Sequence, residues 1–250
     1  MSLLVDMGNT RLKWAVLENG DFMTGQPLLN TQLNQALLLN AWQHITPPKQ
    51  LLISCVTTNQ SLELVIEVAV TLWPDIKISR VHSQTHTFGI TNAYTPPEKL
   101  GVDRWLALVA ARHSYALPAC IVDCGTAITV DLLNTDGQHL GGFISAGITL
   151  MKKSLAHGTN ALPFNTSQHS LEPAKFTEAA IYSGTLLAAV GLIEQVLAKQ
   201  IKPMSLILTG GDAALIAPHL SVTPLINVDL VLRGLAIVAS TSNVTDDERN

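Results

Sequence analysis

Apolar residues fall in short blocks at Leu3-Leu4-Val5, at Leu51 to Val56 with Ser54 as the one polar residue, and at Cys120-Ile121-Val122. Blocks of that length without alternation predict strands buried on both faces rather than half-exposed ones. The first covers residues 2 to 6, with Lys13 to Leu17 as its hairpin partner across the Met7-Gly8-Asn9-Thr10 turn. Residues 31 to 43 and Leu62 to Leu72 show helical spacing, the second closed by Pro74, and Ile76 to Val81 returns as a short strand. His82 to Lys99 is polar, carries Pro96-Pro97, and predicts a long loop. From Asp103 a broad apolar helical face runs to about Tyr115 and stops at Pro118.

Beyond it the pattern predicts strands at 119 to 122, 128 to 133 and 139 to 147, a helix over Ile148 to Ala156, and a loop from Gly158 to Pro173. A long helix follows over 175 to 199, then a strand from Leu206 feeding the Gly210-Gly211-Asp212 turn and a further helix. The turn suits an adenosine or ribose. Leu230 to Ala239 closes the pattern as an apolar helix, and Thr241 to Asn250 is a polar tail expected to fray. Strands interleaved with helices place the chain in the α/β class.

The pattern also repeats. A shift of 117 positions lays Val5 on Val122, Asp6 on Asp123, Gly8 on Gly125 and Gly20 on Gly137. This predicts two similar halves, residues 1–117 with a substrate loop at 82–104 and residues 118–240, facing each other across a cleft, with 241–250 as the tail. The stretch Leu100-Gly101-Val102-Asp103-Arg104-Trp105 lies near their join. One Asp-x-Gly turn is common; two equivalent ones suggest a clamp whose backbone N–H groups grip one polyanion. Carboxylates at both turns would repel phosphate, so the arrangement implies a cation between them.

At 250 residues the chain buries roughly three quarters of its unfolded surface, and so needs neither disulfides nor a structural metal. A net charge of −4 with scattered Lys and Arg offers no field for nucleic acid. No run reaches the roughly 18 apolar residues of a membrane span, and the start lacks a signal peptide's pattern; a cytoplasmic protein without membrane attachment is expected. Cys55, Cys120 and Cys124 stand in apolar runs without zinc-type spacing, as reduced core or turn residues do.

Single residues leave two uses open. Lys13 either reaches a phosphate or sits on a solvated face, and Asp103 either caps its helix or works as a base. Gly8 provides a backbone shape closed to other residues. Arg104 and Tyr94 bring a cation and a hydroxyl near Gly101, enough to hold a small polar or acidic substrate. His82 and His86 read as surface groups rather than ligands. The glycines at 141, 142 and 147, and the small-residue face of Thr177, Ala180, Ile181, Gly184 and Thr185, allow close approach.

Taken in order, these motifs resemble those of the type III pantothenate kinases. That family includes the Bvg accessory factors and belongs to the acetate-kinase, sugar-kinase, Hsp70 and actin superfamily. The family's DxGN(T/S)xxK motif is matched by Asp6, Gly8, Asn9, Thr10 and Lys13, its substrate tyrosine by Tyr94, GxDR by Gly101, Asp103 and Arg104, and DxGTA by Asp123, Gly125, Thr126 and Ala127. GGxIxxG is matched by Gly141, Gly142, Ile144 and Gly147, and TxxAIxxG by Thr177, Ala180, Ile181 and Gly184. Ala146 stands where the family usually has proline, a change that removes stiffness rather than chemistry.

The resemblance implies two halves of the actin-like ATPase (ribonuclease H-like) type around a nucleotide cleft. It implies ATP-dependent phosphorylation of pantothenate to 4'-phosphopantothenate, the first step of coenzyme A synthesis, by a homodimer whose substrate site borders the partner. Asp6, Met7, Gly8, Asn9, Thr10, Arg11, Leu12, Lys13 and Thr126 would bind ATP. Asp6 would hold magnesium through water, and Asp123 a monovalent cation, potassium or ammonium. Tyr94, Gly101, Val102, Asp103, Arg104 and Thr177 would bind pantothenate, with Asp103 as the catalytic base. The alternatives are another small-molecule kinase of the superfamily, or a catalytically silent nucleotide-binding regulatory protein.

Overall fold

A computed structural model describes residues 1–247, which divide into two compact units. The first holds residues 1–113 together with the chain from Leu230 onward; the second is Ser114–Asp229.

The first unit opens with β1 (Ser2–Met7), buried at every position, hairpinned to β2 (Arg11–Glu18). Two short strands unpredicted by the sequence, β3 (Asp21–Thr24) and β4 (Leu28–Leu29), add to β2. Next come α1 (Gln35–Trp42), β5 (Gln50–Cys55), α2 (Asn59–Leu72) and β6 (Lys77–Arg80). The sheet order is β3-β2-β1-β5-β6, antiparallel on the β2 side of β1 and parallel on the other. Leu3, Val5 and Met7 pack with Leu38 and Trp42 of α1 and Val65, Val68 and Ala69 of α2. Leu4 and Leu52, on the opposite pleat, are buried as well. The stretch expected as a loop contains a small hairpin, β7 (His86–Thr87) with β8 (Ile90–Thr91), and leads into α3 (Val102–Ser114).

The second unit repeats the plan. β9 (Ala119–Cys124), β10 (Ala127–Leu133) and β11 (His139–Ala146) form an antiparallel meander. α4 (Ile148–Gly158) and α5 (Thr177–Ala198) precede β12 (Ser205–Thr209), the short α6 (Ala213–Ile216) and β13 (Leu225–Ile226). The order β11-β10-β9-β12-β13 reproduces the first sheet's order and strand directions. The duplication inferred from two turns therefore extends through the sheets, and both units have the actin-like α/β plan. α5 is long and apolar enough to span a membrane by composition, yet half of that stretch is buried, with Tyr182, Leu186, Ala189 and Ile193 in the unit's core.

The chain's last helix, α7 (Leu230–Asp247), corrects the expected division. It packs on β1, β2 and β5, and Gly234 lies so close to the Leu106 carbonyl of α3 that a Cβ there would overlap it. The helix thus completes the first unit rather than the 118–240 half. The expected tail continues it through residue 247; residues 248–250 lie outside the described residues.

Candidate active site

In the first unit the Asp-x-Gly loop joins the ends of β1 and β2. Asp6 is buried, stands opposite Lys13 in the β1–β2 register and opposite Ser54 in the β1–β5 register, and accepts a hydrogen bond from Ser54 Oγ at 2.9 Å. A buried carboxylate needs such donors. The Gly8 N–H donates to the Arg11 carbonyl (3.1 Å), and Asn30 closes the loop from outside, its Nδ2 donating to Gly8 O (2.8 Å) and its N–H to Thr10 O (3.0 Å). Asn9, Thr10 and Arg11 are exposed, whereas Met7 and Leu12 point into the core. These last two can offer a ligand only backbone. Gly8 does not take the left-handed conformation expected of it; a Cβ there would meet the Arg11 carbonyl at 3.3 Å.

The patch around Gly101 and Arg104 is built within the same unit. Arg104 is buried in α3, its Nη1 donating to Tyr94 Oη (3.1 Å) and its guanidinium carbon 5.5 Å from the tyrosine ring centroid. Asn92 fixes Tyr94 by accepting its N–H (3.0 Å), and Ser83 Oγ donates to the Leu100 carbonyl (2.8 Å). Asp103 lies in the first turn of α3 rather than at the cap, and accepts the Arg104 N–H at 2.8 Å. A Cβ at Gly101 would stand 2.6 Å from Asp103 Oδ1, so glycine leaves room for that carboxylate. A cavity of about 230 Å³ beside Gly101 and Val102 is lined by Cys55, Arg80, His82 and Glu98 at the carboxyl ends of β5 and β6. His82 and His86 are exposed, as expected of surface groups.

In the second unit Asp123 is the penultimate residue of β9, in register with Thr129 and Thr209. Its Oδ1 lies where a Cβ on Gly210 would overlap it, and 3.1 Å from where one on Gly125 would stand. Gly210 has φ +89°, open to glycine and strained for other residues. A Cβ on Gly147 would overlap the carbonyls of Gly125 and Thr126, and its N–H donates to Thr126 O (3.0 Å). The Asp212 N–H donates to Cys124 O (2.9 Å), tying the Gly-Gly turn to the loop. Burial, reinforced by the nearby charges of Asp123 and Asp212, pushes the Cys124 thiol up. Burial likewise lowers Lys152, against the opposing pull of Asp212.

Thr126 is exposed at the loop tip, and Thr177 opens α5 on the wall of an apolar groove of about 670 Å³ with Ala146, Met151, Ala180, Ile181 and Gly184. The predicted residues thus gather as a loop and a patch around Arg104 in the first unit, and as a loop and a groove in the second. Sequence reasoning missed Ser54, Asn30 and Asn92. Only Ser54 left a trace, as a hydroxyl inside an otherwise apolar block.

The family model described as type III pantothenate kinase matches residues 2–199. A type III pantothenate kinase of Nitrosococcus oceani is 39% identical over 251 residues, covering 96% of this chain and 94% of its own. One of Dechloromonas aromatica is 35% identical, covering 96% and 99%. Among solved structures, a conserved Baf family protein of Campylobacter jejuni superposes with a TM-score of 0.62 at 22% identity, covering 96% of this chain and 98% of its own, and shares the fold.

Proposed function

The chain belongs to the type III pantothenate kinase family, an ATP-dependent phosphotransferase acting on pantothenate in the first step of coenzyme A synthesis, and from that premise we propose how its residues divide the reaction. The exposed backbone and hydroxyl groups of the 6–13 loop, with Lys13 and Thr126, bind the triphosphate. Arg104 pairs with the pantothenate carboxylate, and Tyr94 and Thr177 direct hydrogen bonds to the acceptor. Asp103 orients the terminal hydroxyl and takes its proton. The observation that carries this division is the buried Arg104 fixed against Tyr94, adjacent in sequence to a half-buried carboxylate.

The donor sets fit hard cations. Around Asp123 they include carboxylate and carbonyl oxygens, and the neighbouring Cys124 is kept as a thiol by burial. Asp123 would hold potassium or ammonium, and Asp6, steadied by Ser54, would hold magnesium through water. When bound, such ions neutralise charge on the transferred phosphoryl group.

The exposed Leu140, Phe143 and Ile144 on β11, the edge strand of the second sheet, support a homodimer, and we place the protein in the cytoplasm.

Asp103→Asn tests the assignment. A coupled assay on pantothenate should show kcat lower by roughly 10²-fold or more, with ATP affinity and melting midpoint retained. Near-normal turnover would remove Asp103 as the base.

A further inference from the structure

The segment between α4 and α5 carries an anchor with no part in the division above. His169 meets two rings edge to face: Phe176 at 5.3 Å between centroids and 86°, and Tyr182 at 5.8 Å and 82°. Its Nε2 is buried without a hydrogen-bond partner. A desolvated nitrogen costs stability, so the ring contacts rather than the nitrogen account for its place.

Those contacts bracket a helix start. Phe176 is the residue before α5 and gives it no side-chain cap, and Thr177 is the first residue inside. Tyr182 is buried further along the helix, with Lys152 Nζ 4.9 Å from its ring centroid. The residues after His169 continue the attachment: Ser183 Oγ donates to the Ser170 carbonyl at 2.9 Å, and Leu171 packs on the unit's core. An uncapped helix start has four N–H groups without intrahelical partners and little to hold its first turn. Here one ring joins the residue before the helix to one inside it, the job a hydrophobic staple does elsewhere.

We infer that His169 is a positioning residue for Thr177: its ring fixes the first turn of α5, and with it the direction of the threonine hydroxyl. The inference rests on the reading of Thr177 as an acceptor-binding residue, and it makes the shape of a loop side chain a determinant of acceptor affinity.

The test measures KM for pantothenate, KM for ATP and kcat on purified His169→Ala, His169→Phe and Thr177→Val, with hydrogen exchange of the Ala180 to Tyr182 amides, the first to bond back onto the opening turn of α5. His169→Ala should raise the pantothenate KM roughly tenfold, leave the ATP KM unchanged, and speed exchange in that first turn. His169→Phe keeps the ring and should restore both wild-type values. Should His169→Ala not fold, His169→Leu fills the space without a planar edge and carries the same expectation. A Phe variant as impaired as the Ala variant would overturn the inference, as would an unchanged pantothenate KM in His169→Ala alongside a raised one in Thr177→Val. If Thr177→Val itself leaves that KM unchanged, the reading of Thr177 fails and takes the inference with it, a result distinct from failure at His169 alone.

Discussion

Replacing Gly210 by alanine tests whether the turn after β12 is built around the Asp123 carboxylate. At φ +89° an L-residue costs roughly 1–2 kcal/mol. The new Cβ would also stand 2.5 Å from the carbonyl carbon and 2.6 Å from the oxygen of Cys124, backbone atoms at the end of a buried strand that cannot retreat. Overpacking of that kind costs about 1–3 kcal/mol. Together the two effects remove about 2–5 kcal/mol, a large share of the ~5–15 kcal/mol that holds an ordinary native protein together. For a chain of this size the melting midpoint should fall by roughly 4–20 °C.

The adjacent glycine supplies the control. Gly211 has nothing within 4 Å of its own Cβ position and lies outside the left-handed region. Gly211→Ala should therefore stay within about 0.5 kcal/mol of wild type. Calorimetric melting of both variants across a potassium chloride titration separates the effects. Because the Gly210 Cβ also collides with Asp123 Oδ1, Gly210→Ala should lose the potassium-dependent rise in midpoint that Gly211→Ala keeps. Equal midpoints, or an intact potassium response in Gly210→Ala, would refute the reasoning.

Ser54→Ala removes a donor from the buried Asp6 carboxylate; denaturant titration should show a loss of about 1.5–3 kcal/mol, with a raised KM for ATP. His139→Leu strips the buried Asp131 of its hydrogen bond with the imidazole at 2.9 Å, and the same titration should register roughly 1.5–3 kcal/mol. Burial pushes the Cys120 thiol from 9.0 up to about 12, helped by the charge of Asp131, so the native state keeps a proton that the unfolded chain releases. Stability should fall as pH rises above about 9 and go on falling towards 12, and native Cys120 should resist alkylation at pH 8 while the unfolded chain reacts.

The central strands were legible because burial on both faces leaves a plain mark, as in the block Leu3-Leu4-Val5. Of the edge strands, β6 and β11 fell in predicted stretches, but β3 is largely exposed and β13 has two residues, too few for any period. The repeat could be read up to its turns but not through them. The β1–β2 connection holds residues 8–10 and the β9–β10 connection only 125–126, so Asp6 faces Lys13 while Asp123 faces Thr129. A fixed shift therefore loses register after the glycine and regains it at the next turn, where Gly20 and Gly137 both take a positive φ. The end of α7 was hidden differently, since the apolar period stops near Ala239 whereas a helix already nucleated extends into Ser, Thr and Asn at little cost. At the site, motif residues were visible as types, but the partners that hold them, Asn30 and Asn92, come from short irregular segments with no pattern of their own.

The return of α7 to the first unit bears on the order in which the protein is made. Residues 1–113 leave the ribosome well before the helix that packs on β1, β2 and β5, with the whole of Ser114–Asp229 translated in between. At about 5–20 residues per second the interval lasts several seconds, long against the microseconds to milliseconds in which helices and hairpins form. Through that interval the sheet carrying Asp6 has a bare apolar flank, and by its end the second unit has all of its own strands. The later half of the sequence is thus the earlier one to mature, and the nascent first sheet is the species a chaperone would meet.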